Sequence, residues 1–262
     1  MTAAPEAAAA RLLAARSGAR IAALPEGERP ADIPAALAVQ RAVVRMRGRP
    51  TRGWKVGCTG PAAQRMLGYD RPFYGRLLDG AFHDSPARLE GGSFHIRVLE
   101  AEYAFHLGRD LPPSGAPYDR DTVAGAVASL HPAIEVVDTA FVDWLAVGIQ
   151  SLVADNGAHG AFVLGPGVTD WRGIDIVEGK VTLEIAGGAS GAGRTVEGKG
   201  ANVLGDPLLS LAWLADEAAA VGGLKAGEIV TTGSAIAPQL VGADVSAVAR
   251  FAGLGEVAVA FV

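Results

Sequence analysis

Val98-Leu99-Glu100-Ala101-Glu102-Tyr103-Ala104-Phe105 is an apolar, β-prone run that holds two acids. As a strand it projects alternate residues to opposite faces, with same-face neighbours about 7 Å apart. Glu100 and Glu102 then share one face, and Leu99, Ala101 and Tyr103 take the other. Two like charges this close repel unless something neutralises them, and a hard divalent cation with oxygen ligands does so. A third acid lies in Pro132-Ala133-Ile134-Glu135-Val136-Val137-Asp138. Glu135 interrupts a run that would otherwise be a buried strand, and a buried, unpaired glutamate is rarely tolerated. The three acids are therefore a candidate metal site. The plain alternative puts Glu100 and Glu102 on a solvated strand face and pairs Glu135 with an arginine.

Nitrogen and sulfur ligands do not compete for the metal. The five histidines (His83, His95, His106, His131, His159) form no H-x-x-x-H pair, and the single cysteine, Cys58, forms no C-x-x-C. An oxygen-only set favours Mg2+ or Mn2+ over structural zinc. A lone cysteine also excludes an intrachain disulfide, which suits a reducing compartment.

Outward from this stretch, the texture divides in two. Ala3 to Arg16 is alanine-rich with periodic leucines and reads as a helix. Asp32 is placed to cap a second helix, Ile33 to Met46, which Gly48 and Pro50 end. Pro61 to Leu67 reads as a short third helix. After Pro72, short apolar runs alternate with glycine and proline breaks. The expected strands are Gly75–Leu78, Phe94–Val98, Ala101–Leu107, Ala133–Val137, Ala161–Leu164, Ile176–Ile185, Glu228–Thr232 and Glu256–Phe261. Helices are expected over Asp121–Leu130 and Pro207–Val221, and Gly187–Gly193 reads as a flexible hairpin tip. Strands and helices do not alternate regularly, so a doubly wound fold is disfavoured. The expectation is a helical N-terminal lobe over 1–70 and a β-rich catalytic domain over 71–262.

The bulk numbers narrow the function. A chain of 262 residues, half of them hydrophobic, can bury a sizeable core. A formal net charge of −5 with scattered basic residues argues against nucleic acid as a partner. No segment approaches the roughly 20 apolar residues needed to span a bilayer, so no membrane role is expected. Arg11, Arg16 and Arg20 break the N-terminal stretch, which makes it a poor signal peptide and points to the cytoplasm.

Further residues stand out. In Gly53-Trp54-Lys55-Val56-Gly57 a lysine sits between apolar residues and glycines; it is either an acid–base group in a pocket or a surface lysine on a turn. Asp79 ends a strand, commonly a turn position. Asp155 and Asn156 form a turn or a polar pocket wall. Thr231-Thr232-Gly233-Ser234 closes a strand with hydroxyls suited to a ligand carboxylate. Cys58 has no base beside it and reads as a packing residue. Gly157-Ala158-His159-Gly160 and Gly191-Ala192-Gly193 lack the strand–loop–helix setting of a nucleotide site.

Taken in order, RGWKVGCTGPAAQRMLG, YGRLLDG, LEAEYAFHLGRDL, PAIEVVD, VADNGAHGAFVLG, LGDPLLSLAWLA and GEIVTTGS resemble the 2-keto-4-pentenoate hydratases and 4-oxalocrotonate decarboxylases of the fumarylacetoacetate hydrolase superfamily. The resemblance runs from the helix before Arg52 to the C-terminus. It implies an α+β fold, with a mixed β-roll core of the fumarylacetoacetate hydrolase C-terminal type, a small helical N-terminal lobe and homo-oligomeric assembly. It implies Glu100, Glu102 and Glu135 as ligands of Mg2+ or Mn2+. It places Lys55 and Asp79 in catalysis, and Ser234, Asp155 and Asn156 at the substrate. The implied reaction is addition of water to a 2-hydroxypenta-2,4-dienoate-type acid through the 2-oxo-3-enoate. A 2-oxo acid offers its carboxylate and C2 oxygen to a cation that stabilises the enolate charge. Decarboxylation of a 2-oxo-3-enedioate uses the same logic, and acylpyruvate hydrolysis would add a His–acid pair. Two departures stand out. Gly157-Ala158-His159 replaces small hydroxyl residues, and Cys58-Thr59-Gly60 replaces Leu-Thr-Ser. Both are expected to alter the substrate pocket rather than the metal site.

Overall fold

The computed structural model describes residues 5–188 and 193–262. In chain order the elements are α1 (Pro5–Ser17), α2 (Ile33–Arg47), β1 (Thr51–Gly57), α3 (Pro61–Leu67), β2 (Phe73–Leu78), β3 (Phe82–Asp84), β4 (Ala87–Leu89) and β5 (Val98–Leu107). There follow α4 (Arg120–Ala126), β6 (Val127–Val137), α5 (Ile149–Ala154), β7 (His159–Leu164), β8 (Lys180–Gly187) and β9 (Arg194–Lys199). The last are α6 (Pro207–Ala218), β10 (Ile229–Ser234), β11 (Gln239–Leu240), β12 (Val245–Phe251) and β13 (Gly255–Phe261). The antiparallel pair β8–β9 carries the expected hairpin tip, whose residues 189–192 lie outside the described residues.

An eight-stranded sheet runs β2-β1-β10-β5-β6-β7-β3, with β11 added beside β5. A five-stranded sheet runs β4-β13-β12-β8-β9. Three pairs are parallel, β1–β10, β3–β7 and β4–β13, and the rest antiparallel, so the β core is mixed as expected. The faces of β5 and β6 divide as period two requires. Tyr103, Phe105, Ile134 and Val136 turn toward the second sheet and share its core with Leu183, Ala249, Phe251 and Val259. Tyr103 meets Phe251 edge-on, with ring centroids 4.9 Å apart. The opposite face carries Val98 and Val137, which pack with Leu12, Val39, Val43 and Leu152 of α1, α2 and α5.

Local chemistry sets the helix ends. The Asp32 carboxylate accepts from the Ala35 N–H at 2.8 Å, and Gly48 closes α2 in a left-handed conformation. Asp206 caps α6 through the Leu208 N–H and also pairs with Arg120 at 2.6 Å.

Several expectations need correction. The helix expected over Asp121–Leu130 ends at Ala126, and the chain runs directly into β6. His131 precedes Pro132, which disfavours a continuing helix, and pairing with β5 from Val127 onward takes over. The strand expected at Phe94 begins at Val98, and the one expected at Ile176 begins at Lys180. Strand β1 was unforeseen. It lies before residue 70 yet pairs with both β2 and β10, so the main sheet crosses the expected division of the chain. Its glycine is a spacing requirement rather than a turn: a Cβ on Gly53 would collide with the Ile229 carbonyl of β10. Among the described residues, no helix is long and apolar enough to cross a membrane.

Candidate active site

In the antiparallel register of β5 and β6, Glu100 lies directly opposite Glu135, and Glu102 lies opposite Ala133. All three acids project from the sheet face that α1, α2 and α5 cover. One carboxylate oxygen from each lies within 4.8 Å of the others. Glu102 and Glu135 are fully buried, and Glu100 is partly open. The plain alternative therefore fails: Glu102 is not solvated, and the partners of Glu135 are a lysine and a histidine rather than an arginine.

Protein donors hold one oxygen of each buried acid and leave the other free. Glu102 Oε2 accepts from the Thr231 hydroxyl and, at 2.9 Å, from the Gly233 N–H of β10. Glu135 Oε1 faces Lys55 Nζ at 3.3 Å and His159 Nδ1 at 3.0 Å. Glu102 Oε1 and Glu135 Oε2 are buried with no hydrogen-bond partner among the described residues. Leaving a buried carboxylate oxygen without a partner is costly. Oxygen donors so arranged fit a hard divalent cation.

The electrostatics match. Burial, then Glu135, pushes the Glu100 carboxyl up to about 7 against the pull of Lys55. Burial and the other two acids push Glu102 well above the usual carboxylate range. Burial would raise Glu135 as well, but Lys55 and His159 together draw it below its ordinary value. Burial works against the Lys55 ammonium, yet the three acids outweigh it and hold the lysine charged. For His159, burial outweighs the attraction of Glu135 and lowers the imidazole. The ring is therefore neutral, and its bond to ionised Glu135 assigns the proton to Nδ1.

Lys55 is 2% exposed, on a strand rather than a surface turn. Its ammonium donates to the Gly157 carbonyl at 2.9 Å. That carbonyl belongs to a tight turn in which Asn156, Gly157 and Ala158 are all left-handed, with φ of 54°, 66° and 57°. Left-handed non-glycine residues persist where surroundings over-determine them. Here the surroundings are Asp155 and Asn156. The Asn156 amide clamps β2 through the Arg76 N–H and carbonyl, at 2.8 and 2.9 Å. Asp155 is fully buried and accepts from Arg16, the Thr139 hydroxyl and the Ala140 N–H. Both side chains thus bond within the fold, and neither lines the cavities beside the acids.

Asp79 stands apart from these groups. It is exposed just beyond the end of β2, paired with Arg52 at 3.3 Å. Leu78 sits opposite Thr51 and Gly75 opposite Lys55, so Asp79 is displaced along the sheet from the acids. Ser234 lies beside the acids. It pairs with Glu102 in the β10–β5 register, and its buried hydroxyl has no partner among the described residues. A cavity of about 370 Å3 opens there, lined by Glu100, Ser234, Asn202, Thr59 and Arg65. A smaller recess of about 40 Å3 reaches from Glu100 toward Phe73, Trp144, Leu152 and Met66. Cys58 lines both, and burial pushes its thiol up to about 11, so it is not a thiolate nucleophile. Of the segment Gly157-Ala158-His159, the first two residues line the recess and His159 lines neither cavity.

Sequence reasoning missed Arg16. Its guanidinium donates to Asp155 Oδ1 at 2.6 Å and to the carbonyls of His159, Asp138 and Asp155 at 2.9 to 3.0 Å. The signal was its position on α1, one turn beyond Leu12 and next to Ala15, both buried.

No protein-family model matches the sequence. The chain is 36% identical over 265 residues to a 2-keto-4-pentenoate hydratase of Paraburkholderia phymatum, covering 98% of this chain and 97% of that one. It is also similar to the solved 4-oxalocrotonate decarboxylase from Pseudomonas putida G7, complexed with magnesium and adipate. The identity is 26%, the TM-score 0.87, and the match covers 98% of this chain and 97% of that one. A fumarylpyruvate hydrolase from Pseudomonas aeruginosa, in complex with Mn2+ and pyruvate, shares the fold at 16% identity and a TM-score of 0.61, over 82% of this chain and 91% of that one.

Proposed function

The chain belongs to the 2-keto-4-pentenoate hydratase family, and from that premise we propose that it is a metal-dependent lyase acting on 2-hydroxypenta-2,4-dienoate-type acids. Glu100, Glu102 and Glu135 hold Mg2+ or Mn2+. The observation that carries this is the pair of partnerless buried oxygens, Glu102 Oε1 and Glu135 Oε2, beside a cavity that ends in the free hydroxyl of Ser234. When bound, the cation supplies positive charge at the substrate carboxylate and C2 oxygen, where enolate charge develops.

The chain's own residues do the rest. Ser234 donates to the substrate carboxylate, and Arg65, in the lining of the same cavity, adds charge. Lys55, held between Glu135 and the Gly157 carbonyl, carries the proton that moves. The 2-hydroxyl loses a proton as C5 gains one, giving the 2-oxo-3-enoate. Water oxygen then bonds to C4 while C3 takes a proton, and the product is a 4-hydroxy-2-oxo acid.

The decarboxylase neighbour favours a second reading on a 2-oxo-3-enedioate. The lining of the site favours the hydratase. Among the described residues, Arg65 is the one cation lining the larger cavity, and Lys55 the one lining the recess, where it is committed to Glu135 and Gly157. A second substrate carboxylate therefore lacks a free cationic partner. Hydrolysis is disfavoured because, among the described residues, the His–acid pair at the site is His159–Glu135, and its histidine lines neither cavity.

Purified protein given 2-hydroxypenta-2,4-dienoate and Mg2+ should consume the dienol absorbance and stop when chelator is added. Loss of signal that chelator does not affect would sink the metal-dependent hydratase, and carbon dioxide from 2-oxo-3-hexenedioate would move the assignment to decarboxylase. Glu100→Gln should abolish metal-dependent turnover; retained activity would remove Glu100 from the ligand set.

Metal stabilisation should also depend on pH. Glu100 and Glu102 titrate above their ordinary values in the folded protein. Without metal, the Glu100 contribution to stability is fully present below the unfolded carboxyl range and is lost as pH rises through about 7, and that of Glu102 is lost well above its ordinary range. Bound metal requires the deprotonated acids, so protons compete with it over the same window. The rise in Tm on adding Mg2+ should therefore be small at low pH and larger above neutrality. An equal or greater rise at low pH would contradict this proton linkage.

A further inference from the structure

We propose that His159 is a positioning residue for the metal centre: it holds Glu135 so that Oε2, and not Oε1, faces the cation. The inference rests on the metal reading above. The terminal torsion of a glutamate is soft, so either oxygen can swing into the ligand position unless something holds one of them. In this protein Oε1 is held twice, by His159 Nδ1 at 3.0 Å and by Lys55 Nζ at 3.3 Å. Oε2 has no partner among the described residues.

The two donors are not equivalent. Lys55 divides its ammonium between Oε1 and the Gly157 carbonyl, and an ammonium on a four-carbon stem is a rotatable point charge. His159 offers one directed N–H on a rigid ring. That ring is fixed from its backbone: His159 pairs with Val137 in the β6–β7 register, and its carbonyl accepts from Arg16 at 3.0 Å. The Nε2 atom is buried and has no partner among the described residues, so the hydrogen bond to Glu135 is the ring's polar contact. Outer contacts of this kind orient ligands and tune metal affinity.

The test is Mn2+ titration of the metal-free full chain, following the EPR signal of free Mn2+, with the melting of each metal-free variant recorded alongside. His159→Leu should weaken Mn2+ binding about 10–100-fold, the range typical of lost outer-shell partners. His159→Asn, whose amide N–H can replace Nδ1, should recover most of that loss. His159→Leu binding Mn2+ as tightly as the wild type would overturn the role of His159 and leave the metal reading intact. His159→Asn binding as weakly as a folded His159→Leu would also overturn it, by pointing to ring packing. A wild-type protein that binds no Mn2+ would overturn the metal reading itself. Nitrogen NMR of histidine-labelled wild type, with and without Mg2+, decides the matter even where a variant does not fold. A proton on Nδ1 and none on Nε2 is expected in both states, and the reverse tautomer would refute the proposal.

Discussion

Arg16→Ala is expected to destabilise the folded protein by about 3–5 kcal/mol, the usual effect of removing one partner from a buried ion pair. The Arg16 side chain is 8% exposed and that of Asp155 is fully buried. Without the guanidinium, Asp155 stays buried with the hydrogen bonds of the Thr139 hydroxyl and the Ala140 N–H. Three carbonyls, those of Asp138, Asp155 and His159, lose a charged donor at the same time. These groups frame the turn whose Gly157 carbonyl receives Lys55 and whose end places His159 against Glu135. Turnover should therefore fall together with stability. Urea unfolding of the metal-free protein measures the first and dienol consumption the second. A loss of less than about 1 kcal/mol, the range of an exposed pair, would show that α1 is held by its apolar face alone.

Lys55→Met should lower kcat about 10²–10⁴-fold, the range for loss of a positioned acid–base group. Its metal affinity should hold or rise. The Lys55 ammonium stands 3.3 Å from a carboxylate oxygen of the candidate ligand set, and a like charge so close works against a bound cation. This split separates a proton carrier from a residue that merely holds Glu135 in place, whose removal would weaken metal binding as it slows turnover. Mn2+ titration and steady-state kinetics on the same preparation distinguish the two. Activity within tenfold of wild type would remove Lys55 from the chemistry.

The three acids were legible because strand periodicity is short-ranged: two residues decide which face Glu100 and Glu102 share, and one apolar run marks Glu135 as buried. Ser234 was legible for the same reason, as the end of a hydroxyl-bearing strand. What was not legible depended on distant chain. Arg16 finds Asp155 139 residues away, and no local pattern names that partner. Strand β1 was hidden because Gly53 and Gly57 look like turn residues, whereas one of them makes room for a neighbouring strand. Asp79, Asp155 and Asn156 share a motif texture with site residues, but their partners, Arg52, Arg16 and the Arg76 backbone, came only with tertiary structure. The departure at His159 was visible, but its consequence was placed on substrate when its neighbour is a ligand of the candidate site.

The facing of Glu100 and Glu135 across two strands bears on how the sheet finds its register. A slip of β6 by one residue would turn Glu135 into the apolar layer between the sheets, and hydrophobicity alone forbids it. A slip by two residues keeps every apolar side chain on its proper face, so hydrophobicity is nearly blind to it. Yet in the direction that sets Glu135 opposite Val98 it carries Glu135 about 7 Å farther along the strand from Glu102, and the three acids no longer meet around one cation. A bound divalent ion would thus reject a mispairing that apolar patterning cannot detect, and would serve as a template during assembly of the sheet.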